Sequence, residues 1–251
     1  MAQAGIAYRP AYFVYHRLWR ILDYIYPPRC ITCGRTGRQW CLECQKDVTL
    51  IEGIICERCG EPQASPGVCP RCRNNPPGYR SLRSYGVFEG GLREAIHSLK
   101  YHQNMSMGEH LSHLIVQALS GNAWDIDLIV SVPLGKERRR ERGYNQSSLL
   151  AFPVALAFGI PFKAGALYRK HETSSQVTLS AAERLRNVMG AFVAHPGLVE
   201  GKSVLVIDDV TTTGATMAAC AQALLSAGAR EVYGFTLARA VHGMKAQHLQ
   251  P

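Results

Sequence analysis

The sequence predicts an α/β fold, a mostly parallel sheet flanked by helices, with a small cysteine-rich module ahead of it. Three observations point there. Short apolar, β-branched runs alternate with helical stretches from 127 to 238, the pattern of a parallel sheet covered on both faces. One such run, Val204 to Ile207, leads straight into two aspartates and a Thr/Gly-rich turn. Eight of the nine cysteines form four CxxC pairs confined to residues 30–72.

The bulk numbers set bounds. The chain has 251 residues, 47% of them hydrophobic, enough for one large domain or two small ones with a buried core. The net charge of +9 favours polyanionic partners, and a nucleotide-like substrate or a nucleic acid would both qualify. No apolar run reaches the roughly 20 residues that span a bilayer. The first residues lack the layout of a secretory signal, so a cytoplasmic protein is expected.

Residues 11–26 form an amphipathic helix with Phe13, Val14, Leu18, Ile21, Leu22 and Ile25 at helical spacing, stopped by Pro27 and Pro28. It is expected to pack on the body of the protein, with a membrane-surface helix as the alternative. The cysteines come next: Cys30, Cys33, Cys41 and Cys44, then Cys56, Cys59, Cys69 and Cys72. In a reducing compartment such pairs hold metal rather than disulfides. Two structural zinc ions in complete thiolate shells are expected, because the segment has few large apolar residues to hold it otherwise. Sequential use of the pairs needs the shortest loops; interleaved use is the alternative. Cys220 stands apart on a later helix, as a small buried apolar residue.

Residues 74–80 are a linker by composition. After it come a short strand, a Gly-Gly turn and a helix carrying Leu92, Ile96 and Leu99, ended by Lys100, Tyr101 and His102. A second helix, about 107–119, turns Leu111, Leu114, Ile115 and Leu119 inward. His97, His102, His110 and His113 fit helix surfaces better than metal ligation. Residues 127–134 are the first strand of the α/β domain. The loop 135–146 after it carries Lys136, Arg138, Arg139, Arg140 and Arg142, and a helix runs from 145 to 158. The basic loop faces an anion or is a solvated surface; its position after a strand end favours the anion. Residues 167–192 hold a polar loop, then a helix from about 180 with Ser180 and Glu183 as its capping box. That loop either closes over a ligand or merely connects. A last strand spans about 231–237, and the tail after Val241 frays.

Residues Val204 to Thr216 organise the rest. A loop entering a helix N-terminus offers free N–H groups and a positive dipole end to an anion. Gly214 lets the backbone come close, and Thr211, Thr212, Thr213 and Thr216 add hydroxyl donors. Asp208 and Asp209 accept hydrogen bonds at the strand's carboxyl end, where open parallel sheets bind ligands. This stretch resembles the phosphoribosyl-pyrophosphate (PRPP) motif of type I phosphoribosyltransferases.

Taken whole, the chain resembles the ComF/GntX family. The likeness runs through the apolar helix before the first CxxC, the double zinc ribbon, SLKYH, IVSVPL with RRRERGYNQ, RKHETSSQVTLSAAERLRNVMGAF, and the PRPP motif. It implies an N-terminal helix (1–28), a double zinc ribbon (29–75) and a type I phosphoribosyltransferase-like domain (76–242). By position, Asp208 and Asp209 hold the ribose hydroxyls and act in catalysis, and Thr211, Thr212, Thr213, Gly214, Ala215 and Thr216 cradle the 5′-phosphate. Leu134, Gly135 and Lys136 correspond to the pyrophosphate loop. Arg142, Gly143, Asn145 and Gln146 match the RGxNQ element, and Arg169, Thr173, Gln176, Arg184 and Asn187 the flexible-loop block. Mg²⁺ would accompany PRPP, since a hard ion prefers oxygen ligands. The resemblance further implies association with competence proteins and with imported single-stranded DNA. The alternative is a non-enzymatic DNA-handling adaptor that keeps the fold as scaffold or sensor.

Overall fold

The structure is a computed structural model that describes residues 9–25, 27–102, 104–170 and 190–241. Its centre is a four-stranded, all-parallel sheet. The strands are β1 (Ser81–Val87), β2 (Leu128–Ser131), β5 (Ser203–Thr211) and β6 (Glu231–Arg239), in the order β1-β6-β5-β2. Every residue of β2 is buried, as are eight of the nine in β6, which is why these runs lack a polar alternation. The strand at 127–134 is therefore not the first of this sheet. SLRSYGV precedes it and forms an edge, pairing Ser81 with Tyr233 and Ser84 with Thr236. The short strand expected after residue 80 is thus part of the central sheet, with its polar residues partly covered.

Helices cover both faces. On one side lie α4 (Gly90–Tyr101), α5 (Ser106–Leu119) and α7 (Gln146–Phe158), sharing a core of Leu99, Leu111, Ile115, Leu150, Val154 and Phe235. On the other lies α9 (Ala215–Ser226), with Met217, Cys220, Ala221 and Leu224 packed on Val204, Val206 and Val232. Cys220 is fully buried there, as its sequence context predicts. A small antiparallel hairpin, β3 (Leu167–Arg169) and β4 (Phe192–Ala194), sits against α9, and the one-turn α8 (Pro196–Val199) leads into β5. The predicted helix from 180, with Ser180 and Glu183, lies outside the described residues, as do Gln176 and the tail beyond Val241.

The basic stretch after β2 is not an open loop. Its residues form the short helix α6 (Lys136–Arg142), which buries none of its side chains. Gly143 ends it at φ 79°, a left-handed turn that a residue without Cβ adopts freely.

The N-terminal helix α1 (Pro10–Ile25) forms as predicted but packs on a different face. Phe13, Val14, Leu18 and Ile21, expected to point inward, are each more than half exposed. Tyr12 and His16 point in instead. The Tyr12 hydroxyl lies 3.2 Å from His113 Nδ1, and His16 pairs with the Glu109 carboxylate. Both faces of this helix carry large side chains, so periodicity marks a helix without choosing its buried side; the polar partners on α5 decide it. His110 Nδ1, 2.9 Å from Glu109, joins the same cluster, so two of the four histidines assigned to helix surfaces are tied into the α1–α5 contact.

The cysteine module is stitched to both cores. Cys30, Trp40 and Cys44 pack with the α4–α5–α7 side, whereas Cys56, Cys59 and Cys72 pack with the α9 side. Thr49 to Ile51 run along the free edge of β1, with Val87 N–H donating to Thr49 O at 2.8 Å. Two short helices, α2 (Leu42–Lys46) and α3 (Pro70–Asn74), each start right after a ligand cysteine. The 74–80 connection is not solvated linker throughout: Tyr79 is buried against α9 and its neighbours.

Candidate functional site

The two cysteine quartets close in sequential order. Cys30, Cys33, Cys41 and Cys44 bring their sulfurs within 4.8 Å of one another, and so do Cys56, Cys59, Cys69 and Cys72. The Sγ atoms of Cys33 and Cys41 are 3.7 Å apart, and those of Cys59 and Cys69 3.8 Å. Zinc–sulfur bonds of about 2.3 Å in a tetrahedron separate sulfurs by about 3.8 Å, so both quartets fit Zn²⁺. Backbone N–H groups support the sulfurs: Cys41 N–H donates to Cys30 Sγ at 3.4 Å, and Cys69 N–H to Cys56 Sγ at 3.3 Å. Four sulfurs leave no open position, which makes both sites structural. Among the described residues, no other group of three or more metal-ligating side chains comes together this way.

A second assembly forms where β2 and β5 end. A cleft of about 270 Å³ is lined by Asp208, Asp209, Thr211 to Thr216, Leu134, Gln146, Arg142 and Arg169. The sheet brings these together because β2 and β5 pair directly, Ser131 beside Ile207, so the segments leaving the two strands emerge on one side. Lys136 and Gly135 do not line this cleft. Gly135 caps α6, and Lys136 opens that helix on the outer surface. Asn145 is occupied as a cap: its side chain accepts from Ser147 N–H at 3.1 Å and donates to Val132 O at 3.0 Å.

The acidic pair forms the floor. Ser147 Oγ donates to Asp208 Oδ1 at 2.7 Å, and Asp209 N–H donates to the same oxygen at 2.9 Å. Burial, and then the Asp209 charge, push the Asp208 carboxyl up to about 7. Lys100 Nζ lies 2.8 Å from Asp209 Oδ1. The other oxygen of Asp209, Oδ2, is buried with no hydrogen-bond partner. An orphaned carboxylate oxygen in a cleft is an acceptor waiting for a donor.

The Thr/Gly turn stands beside this floor. Gly214 has φ 80° and caps α9, whose first turn leaves N–H groups without intrahelical partners. Ala215 N–H donates to Thr213 Oγ1 at 3.3 Å. A Cβ on Gly214 would stand 3.0 Å from the Tyr79 hydroxyl, so the cysteine module's exit segment props this turn. A larger cleft, about 730 Å³, lies behind the turn between α9, β4 and residues 75–79. Among the described residues its walls are mostly alanines, prolines and glycines and carry no carboxylate, whereas the smaller cleft holds the acidic pair and the cations.

Sequence reasoning missed Lys100, Tyr101 and Ser147 as cleft residues, whereas Arg138, read there as one of the loop cations, does line the cleft. Lys100 and Tyr101 come from the end of α4, far from the motif in sequence, and nothing local to that amphipathic helix marks its last turn as part of the cleft.

The comparisons with known proteins agree with this division. Residues 21–73 match the double zinc ribbon domain, and residues 146–248 match the phosphoribosyl transferase domain. DNA utilization protein YhgH of Salmonella typhimurium is 36% identical over 216 residues, covering 84% of this chain and 89% of the relative. The chain belongs to the ComF family. Competence protein ComFC of Bacillus subtilis is a further ComF relative, 30% identical over 207 residues, covering 79% of this chain and 83% of the relative. An adenine phosphoribosyltransferase structure is similar at 17% identity and a TM-score of 0.38, covering 70% of this chain and 88% of that one. As the ComF relationship implies, the chain is a zinc-ribbon protein with a type I phosphoribosyltransferase fold. No described helix is long and apolar enough to cross a membrane.

Proposed function

We propose that this ComF protein binds PRPP with Mg²⁺ and transfers its phosphoribosyl group, in the cytoplasm, in a pathway that handles single-stranded DNA. The observation carrying this is the partnerless Asp209 Oδ2 beside Asp208, next to the open N-terminus of α9. A ribose supplies vicinal hydroxyls to that floor, and its 5′-phosphate suits the Gly214–Thr216 N–H groups and the hydroxyls of Thr212, Thr213 and Thr216. Arg142 and Arg169 reach the cleft and suit pyrophosphate oxygens bidentately. Asp208 and Asp209 are oxygen ligands of the kind Mg²⁺ takes through water, and the ion would offset charge on the departing pyrophosphate. In the transfer, the C1–oxygen bond breaks with its electron pair going to pyrophosphate, and the acceptor bonds to C1. This chain's contribution is to position the donor and stabilise the leaving anion.

A second reading is a DNA-handling adaptor that keeps the cleft as a sensor. The exposed cations Arg139 and Arg140 of α6, which do not line the cleft, favour it. Calorimetric titration of PRPP with Mg²⁺ separates the two from a bare scaffold. Binding is expected in the wild type and lost in the Asp208→Asn, Asp209→Asn double variant, with circular dichroism unchanged. Equal affinity in both proteins overturns the site assignment, and no binding in the wild type overturns both roles for PRPP.

A further inference from the structure

We propose that Cys33 and Cys41 form an oxidation site: a hydroperoxide joins them in a disulfide and expels zinc from the first quartet, while the second quartet keeps its metal. The two quartets repeat one local fold. Cys30 N–H donates to Arg35 O and Cys56 N–H to Glu61 O, both at 2.8 Å, and isolated bridges join Arg29 to Thr36 and Ile55 to Pro62. Cys33 therefore corresponds to Cys59, and Cys41 to Cys69. The settings of the two repeats differ. Cys59 is 1% exposed, belongs to the core around α9, and accepts from Arg71 Nη2 at 3.5 Å. Cys33 is exposed, and among the described residues neither its sulfur nor that of Cys41 accepts from an N–H group. The glycine after each shows the same contrast. A Cβ on Gly60 would collide with Leu82 O in β1, whereas one on Gly34 would meet nothing within 4 Å.

Zinc-bound cysteines are thiolates already, so access and the nucleophilicity of each sulfur decide which one an oxidant meets. A donor on sulfur, such as Arg71 on Cys59, lowers that nucleophilicity. Cys33 has neither the cover nor the donor. Its thiolate attacks one peroxide oxygen, the O–O bond breaks, and the electron pair leaves on the other oxygen, giving a sulfenic acid. Cys41 Sγ, 3.7 Å away, then attacks that sulfur. The S–S bond forms as the S–O bond breaks, and hydroxide leaves. The two thiolates give up two electrons, the peroxide takes them, and two solvent protons complete the balance. Cys30 and Cys44 alone do not make a tetrahedral thiolate shell. Those two and Trp40 pack on the α4 side, where a Cβ on Gly91 would stand 3.4 Å from Trp40 Nε1 and 3.5 Å from Cys44 O. Oxidation therefore loosens the support under the start of the helix whose end carries Lys100 to Asp209.

The test treats the full-length, zinc-loaded protein with hydrogen peroxide. A chromogenic chelator follows metal release, and peptide mass mapping follows the thiols. One zinc per chain is expected to leave with formation of a Cys33–Cys41 disulfide, while Cys56, Cys59, Cys69 and Cys72 stay reduced. Cys33→His keeps four ligands and is expected to slow release about tenfold or more, whereas Cys59→His leaves the rate unchanged. Loss of both ions at one rate, loss from the second quartet first, or a disulfide elsewhere overturns the proposal. So does retention of both ions under peroxide that oxidises free cysteine, or an unchanged rate in zinc-loaded Cys33→His. The mapping is made on the wild type, so the proposal stands or falls without either variant.

Discussion

Lys100 Nζ reaches Asp209 Oδ1 at 2.8 Å, with the two side chains only 17% and 5% exposed. The end of α4 is thereby pinned to the carboxyl end of β5, and a carboxylate that would otherwise be a buried, uncompensated charge has a counterion. Removing one partner of such a pair costs more than removing both. Lys100→Met is expected to lower unfolding stability by about 3 kcal/mol in urea titrations. Adding Asp209→Asn should recover a large part of that loss; strictly additive losses would show that the pair is not coupled.

The same lysine tunes the neighbouring acid. Asp208 is pushed up to about 7 by burial and by Asp209, with Lys100 opposing. Below that value Asp208 carries a proton and loses the charge that makes it a strong acceptor for a ribose hydroxyl or a metal-bound water. PRPP affinity should therefore rise with pH, by about tenfold between pH 6 and pH 8 for one required deprotonation. The phosphates of the ligand titrate in a similar range, so the variant decides: Lys100→Met should move the midpoint to higher pH. A midpoint that stays put assigns the titration to the ligand.

Gly214 is fixed by two independent constraints. Its φ of 80° disfavours any Cβ, and that Cβ would meet the Tyr79 hydroxyl at 3.0 Å. Gly214→Ala is expected to cost about 1–3 kcal/mol in thermal unfolding and to weaken PRPP binding. Tyr79→Phe in the same protein should relieve only the contact. Complete rescue by the phenylalanine would mean that the backbone conformation carries no cost.

Zinc removal should reach the cleft. Arg239, at the end of β6 and fully buried, donates to Glu61 Oε2 at 2.8 Å and to the carbonyl of the ligand Cys59. The second quartet thus braces the strand that pairs with β5. Metal analysis should find two zinc ions per chain. Chelation should lower the melting temperature of the whole protein rather than release an independently melting module. A separate low-temperature transition with the main one unmoved would contradict this bracing.

Much of the fold was legible in the chain because its cues are local. The β-branched runs at 128–131 and 203–207 are strands, and the helix after Gly214 begins where the Thr/Gly turn ends. The CxxC spacings announced two metal quartets, since ligands so near in sequence need little chain between them. Other features could not be read this way. Which face of α1 turns inward depends on Glu109 and His113, about a hundred residues away, and the short strand read at SLRSYGV takes its place in the central sheet only through β6 and residues 49–51, which flank it.

The acidic pair, the Thr/Gly turn and the two cysteine quartets are written in the chain itself, because each is a local pattern whose chemistry comes from neighbouring residues. Their surroundings are a product of folding: Lys100 on Asp209, Ser147 on Asp208, Tyr79 against Gly214, and Tyr101 beside Arg142. Those pairings depend on where helix ends and strand ends meet. The parallel sheet sets that meeting point by gathering the carboxyl ends of β2 and β5 on one side.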